Sequence, residues 1–73
     1  MFTLRFWFDD KHDEEFKEIE KVGYATNTQT VSVTGDDIFA HKFPLNCDMH
    51  LFSEKTNYIV SHKGLKRIDI EKE

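Results

Sequence analysis

Hydrophobic and polar positions alternate strictly at the start of the chain. Phe2, Leu4, Phe6 and Phe8 interleave with Thr3, Arg5 and Trp7, the period-two pattern of a strand with one buried face. The stretch Asp9-Asp10-Lys11-His12-Asp13 ends that pattern and reads as a turn. The next apolar residues, Phe16, Ile19 and Val22, recur at every third position. That spacing suits a short helix, with Asp13, Glu14 and Glu15 in its first turn, Lys21 near its end and Gly23 just beyond. Phe16, Val22 and Tyr24 also share a parity, however, and the segment is short for a helix. The pattern therefore predicts a strand from about Glu18 to Thr26, with a helical turn before it.

Further along, Val31 and Val33 alternate with Thr30, Ser32 and Thr34 after an Asn27-Thr28 turn, which predicts a strand of β-branched residues. Gly35-Asp36-Asp37 breaks it. Ile38, Phe39 and Phe43 fit two turns of helix that stop at or before Pro44, because the residue preceding proline disfavours helical geometry. Cys47, Met49 and Leu51 alternate with Asp48, His50 and Phe52, and a strand at 47–52 would place Cys47 and His50 on opposite faces. A turn at Glu54-Lys55-Thr56-Asn57 leads into a strand from Tyr58 to Ser61. Lys63-Gly64 marks a hairpin whose glycine can take positive φ, and a final strand carries Ile68 and Ile70. The expected architecture is one small, mainly β domain over residues 1–73, with α+β as the alternative class. It comprises five or six antiparallel strands in a meander curling toward a barrel, with one short helix.

Composition narrows the functional classes. The chain has 73 residues, enough for one core. Cys47 is the only cysteine, so no intramolecular disulfide can brace it, which fits a reducing compartment and a cytoplasmic location. The N-terminal segment turns acidic too soon for a signal peptide, and no apolar run approaches the ~20 residues of a membrane helix. The net charge of −4 is concentrated: residues 1–20 hold three basic and seven acidic side chains, whereas residues 21–73 hold seven of each. An acidic balance argues against a binder of nucleic-acid backbone, which needs a basic stripe. The one basic cluster, His62, Lys63, Lys66 and Arg67, is confined to a hairpin.

Candidate chemistry is sparse. His41, Cys47 and His50, with Asp48 between them and His62 nearby, have the atom types zinc prefers; the expected strand parity separates two of them. The same residues could make a Cys–His nucleophile, but an apolar setting beside Met49 and Leu51 leaves a thiol inert. Asp9-Asp10 and Asp36-Asp37 lack the spacing of a calcium loop, and the three glycines form no phosphate-cradling motif. Arg5-Phe6-Trp7-Phe8 lacks the glycines of an RNA-recognition strand.

The lysine-, glutamate-, isoleucine- and phenylalanine-rich composition resembles that of small proteins of low-GC Gram-positive bacteria and their phages. No family motif accompanies that likeness. One residue stands out: Trp7, the sole tryptophan, lies with Arg5 on the face opposite the apolar stripe. It either packs under the Ile38–Phe43 segment or projects as a contact residue, and Trp and Arg dominate interface energies. The expectation is a small non-enzymatic binding module that contacts a protein partner or self-associates, with Arg5 and Trp7 as binding residues and no cofactor or metal. The alternatives are a metal-dependent domain or small enzyme built on His41, Cys47 and His50, and an acidic inhibitor of a nucleic-acid-binding protein.

Overall fold

The structure, a computed structural model, describes residues 1–73. It is mainly β, with seven strands and one helix: β1 (Phe2–Phe8), β2 (Asp13–Ile19), β3 (Lys21–Ala25), β4 (Thr30–Thr34), α1 (Asp37–Ala40), β5 (Met49–Phe52), β6 (Asn57–Val60) and β7 (Leu65–Lys72). The strands form two antiparallel sheets, ordered β2-β1-β7 and β4-β3-β5-β6. The sheets curl around a common core without joining into a closed barrel. The topology is also less simple than a meander, because β7 returns to pair with β1 along its whole length.

β1 is the central strand of its sheet and follows its sequence pattern. Phe2, Leu4, Phe6 and Phe8 are buried, while Thr3, Arg5 and Trp7 are only half-buried on the other face. Thirteen apolar side chains make up the core, among them Ile19, Val22, Ile38, Met49 and Leu51. No polar or charged residue is buried with them.

The ambiguous segment proves to be two strands rather than a helical turn leading into one. Phe16 pairs with Leu4, and Ile19 pairs with Phe2, so three steps along β2 match two along β1. The extra residue is a β-bulge in which Glu18 adopts φ 59. The bulge reverses parity, so that Phe16 and Ile19 both face inward despite their odd spacing. Glu20 then breaks the strand, and its N–H reaches Phe52 O at 2.9 Å as the chain crosses into the second sheet. That crossing brings Val22 inward as well. The helix-like repeat is therefore the trace of a bulge followed by a sheet corner.

Two further elements depart from expectation. The helix has one turn, Asp37–Ala40, and ends before Phe43. Ile38 anchors it in the core, Phe39 stacks on Phe2 at 6.2 Å but stays half-exposed, and Phe43 packs against Tyr24 rather than extending the helix. The strand expected at 47–52 begins only at Met49, and Cys47 lies in the bend before it. The turn at Lys63-Gly64 forms with the positive φ expected of its glycine, but it is not a hairpin: β6 and β7 do not pair, and the turn carries the chain from the four-stranded sheet to the three-stranded one. Gly64 has φ +77, and a Cβ there would lie 2.8 Å from the Asp9 carboxylate. Its carbonyl accepts the Asp9 N–H at 2.8 Å, tying the turn before β7 to the turn after β1.

Phe6 is fully buried at the centre of this arrangement, and its edge meets the Phe16 ring. Phe6→Ala is expected to lower the unfolding free energy in urea by ~3–5 kcal/mol, the range for aromatic truncation in a core. Glu18→Gly is expected to act in the opposite sense, raising stability by up to about 1 kcal/mol. Glycine adopts the left-handed conformation without the steric cost that a Cβ imposes. A loss of stability in that variant would mean that the Glu18 side chain, not the backbone, holds the bulge.

Candidate functional site

Two surfaces gather the candidate side chains. The first is the outer face of the three-stranded sheet. In register, Trp7 lies between Asp13 on β2 and Arg67 on β7, and Arg5 lies between Glu15 and Asp69. The Arg67 guanidinium stands 4.9 Å from the Trp7 ring centroid and the Arg5 guanidinium 5.8 Å, both within cation–π range. The indole N–H donates to Asp69 Oδ2 at 2.8 Å. Asp69 also accepts from Arg67 at 3.1 Å. Arg5 donates to Asp13 at 2.6 Å and to Glu15. These carboxylates, Asp13 foremost, raise the Arg5 pKa above its ordinary value. The segment that could have covered Trp7 goes elsewhere: Phe39 stacks on Phe2, and Phe43 packs edge-on against Tyr24. Trp7 is thus held on an open sheet face by its neighbours, its ring half-buried between two cations.

The second surface is a groove of about 620 Å³ on the outer face of the four-stranded sheet. Gly23 lies at its centre, opposite Ser32 on β4 and His50 on β5. Phe52, whose ring carries Lys21 Nζ at 4.9 Å, forms one wall. Cys47, Asp48 and His62 line the other side. Gly23 has no internal explanation. Its φ is not positive, and a Cβ would make only ordinary contacts, 3.7 Å to Val31 O and 3.9 Å to the Phe52 ring. Glycine inside a strand weakens it and often marks close approach by another group.

The structure redistributes the residues of the metal and thiol readings. Because Cys47 precedes β5, strand alternation does not separate it from His50, and both line the groove. His41 is drawn elsewhere, its Nε2 hydrogen-bonded to the Tyr24 hydroxyl at 2.8 Å. No group of three or more His, Cys, Asp or Glu side chains is arranged to hold a metal ion. Cys47 is half-buried against the core and donates weakly to Asn46 Oδ1 at 3.6 Å. The pairing that does form joins two other members of the same candidate cluster. Asp48 accepts from the His62 backbone N–H at 2.9 Å and bonds the His62 ring. The β5–β6 pairing brings these residues, fourteen positions apart, within reach of each other.

Carboxylates elsewhere are engaged as well. Asp10 and Glu14 flank His12, whose ring stacks on Phe8 at 4.6 Å. Glu73 accepts the Glu18 N–H at 2.6 Å and the Thr3 hydroxyl at 2.8 Å. Backbone N–H donors are the leading cause that holds Asp10, Asp48 and Glu73 below their ordinary values of 3.8, 3.8 and 4.5. A carboxylate depressed on folding contributes stability above its unfolded pKa and loses it as pH falls through the folded value. His12 is raised above 6.5, chiefly by Asp10, so its contribution is complete below 6.5 and fades as pH rises through the raised value. Urea titrations are expected to show stability falling as pH drops below about 4. That fall should be shallower in Asp48→Asn and Glu73→Gln; parallel curves for wild type and both variants would contradict the assignment.

No protein-family model, curated protein or solved structure matches this chain.

Proposed function

We propose that the protein is a non-enzymatic binding module that takes a protein partner on the outer face of its three-stranded sheet, with Trp7 as anchor and Arg5 beside it. The observation that carries this reading is the setting of Trp7. It stands on the middle strand of an uncovered sheet face, locked between Arg5 and Arg67 by two cation–π contacts and one hydrogen bond. A large aromatic side chain already fixed in one conformation loses little entropy on binding. Trp and Arg are also the residues most often found at the energetic centre of interfaces.

Other features fit the same reading. Of the three residues of the nucleophile or metal reading, Cys47 and His50 line the groove while His41 is held by the Tyr24 hydroxyl. Four of the seven acidic residues before position 21, namely Asp10, Asp13, Glu14 and Glu15, are engaged by His12 or Arg5, which leaves few free carboxylates to mimic a phosphate row. No helix is long and apolar enough to cross a membrane. A lone cysteine is compatible with work in the cytoplasm.

The test runs wild-type and Trp7→Ala baits in parallel against host extract, then titrates any recovered partner against both. Trp7→Ala is expected to weaken that partner by about 2 kcal/mol or more, roughly thirtyfold, as truncation of a hot spot does. Its effect on folding stability should stay well below that of Phe6→Ala. Emission from Trp7 should shift when the partner is added. A partner that binds both baits equally, with no change in emission, would remove this face from the mechanism.

A further inference from the structure

The geometry points to a second binding surface: the free edge of β4, which pairs antiparallel with β4 of a second copy of this chain around a two-fold axis at Ser32. β4 is the outermost strand of its sheet and pairs only with β3. None of the backbone hydrogen bonds made in turns, loops and caps involves residues 30–34. Such an edge is a template for another strand unless something blunts it, usually charge, proline or a bulge. Both edges of the other sheet are blunted in this way. β2 carries Asp13, Glu14, Glu15, Lys17 and the bulge at Glu18, and β7 carries Lys66, Arg67, Asp69, Glu71 and Lys72. β4 has none of these devices, and no charged residue occurs between Lys21 and Asp36.

The sequence of the edge identifies the occupant. Thr30-Val31-Ser32-Val33-Thr34 reads the same in both directions. A two-fold axis through an antiparallel pair centred on Ser32 sets Ser32 against Ser32, Val31 against Val33 and Thr30 against Thr34. Every cross-strand pair then matches like with like, the self-complementary pattern of an isologous interface. Parity is respected too: the valines continue the inner face of each sheet, and the exposed hydroxyl residues continue the outer one. Electrostatics permits the approach, since the net charge of −4 belongs to residues 1–20, on the other sheet. The remaining edge, β6, is a poorer template. It has four residues, and pairing about the exposed Ile59 would oppose Tyr58 to Val60.

Sedimentation velocity from about 10 µM to 1 mM tests the proposal, since an edge contact alone is small and belongs with weak, transient interfaces. Wild type should show a monomer–dimer equilibrium with Kd below about 1 mM. Ser32→Lys keeps an exposed position exposed but places two ammonium groups directly opposite each other, and should weaken the dimer at least tenfold. Asn57→Lys, on the β6 edge, should leave it unchanged. A cross-linking arm does not depend on those variants. In a Cys47→Ser background, Ser32→Cys should form a disulfide-linked dimer on mild oxidation, because only position 32 faces itself, whereas Thr30→Cys should cross-link poorly. A monomer throughout the concentration range, a dimer indifferent to Ser32→Lys, a dimer lost in Asn57→Lys, or equal cross-linking at 30 and 32 would each overturn the proposal.

Discussion

Phe16, Ile19 and Val22 have to reach one core from a chain running extended through two sheets, and an unbroken strand cannot bring them there. Successive side chains of a strand alternate faces, so odd spacings put neighbours on opposite sides. The left-handed turn of Glu18 resolves the first mismatch and the break at Glu20 the second. Both sheets depend on this. Without the bulge, Ile19 would face solvent and β2 would retain Phe16 as its only inward apolar residue. Without the corner, β3 would have no route to sit between β4 and β5. The bulge is itself held from outside, since the Glu73 carboxylate takes the Glu18 N–H and the Thr3 hydroxyl together. One side chain thus joins the two strands that the bulge displaces relative to each other, and it does so from the end of the chain that β7 lays beside β1.

The same constraint explains which parts of the fold were legible in the sequence. β1 was readable residue by residue because its alternation is uninterrupted and its inner face is wholly aromatic or aliphatic. β4, the Lys63-Gly64 turn and the mainly β class followed from equally local signals: β-branched alternation, and a glycine where φ must be positive. The 14–22 segment was not, because a bulge plus a corner writes a three-residue repeat that a short helix would also write. The sequence overextends the short helix because Phe43 looks like part of its apolar face. In the structure Phe43 belongs instead to a cluster with His41 and Tyr24, which joins the segment after α1 to β3 and leaves no mark in the helical spacing. Cys47 was assigned to a strand for a similar reason. Its spacing from Met49 and Leu51 is right, but pairing with β6 begins only at Met49 and pairing with β3 only at His50.

For the candidate site, the sequence placed Arg5 and Trp7 on the face opposite the core, since parity alone decides that. Their partners were out of reach. Asp69 and Arg67 come to Trp7 only because β7 pairs with β1 across more than sixty residues of chain. The groove was less visible still. Its Asp48–His62 link depends on the β5–β6 register, and its floor is a residue with no side chain to signal a role.

The two outer faces therefore differ in kind. On the three-stranded sheet almost every polar group is committed within the chain: Arg5 to two acids, the indole to Asp69, Asp69 to Arg67. Such a face holds its side chains through contacts within the chain, which is the preorganisation that the proposed binding role draws on. On the four-stranded sheet, residues 22–35 are free of charge and the centre is a glycine that neither backbone angle nor internal packing demands. Glycine there gives up strand stability without any return visible inside the molecule. A chain of this size has little stability to spare. Selection for stability alone would favour a β-branched residue at position 23, where space for a Cβ exists. Position 23 therefore gives up strand stability that a side chain could supply, beside a strand that carries no charge.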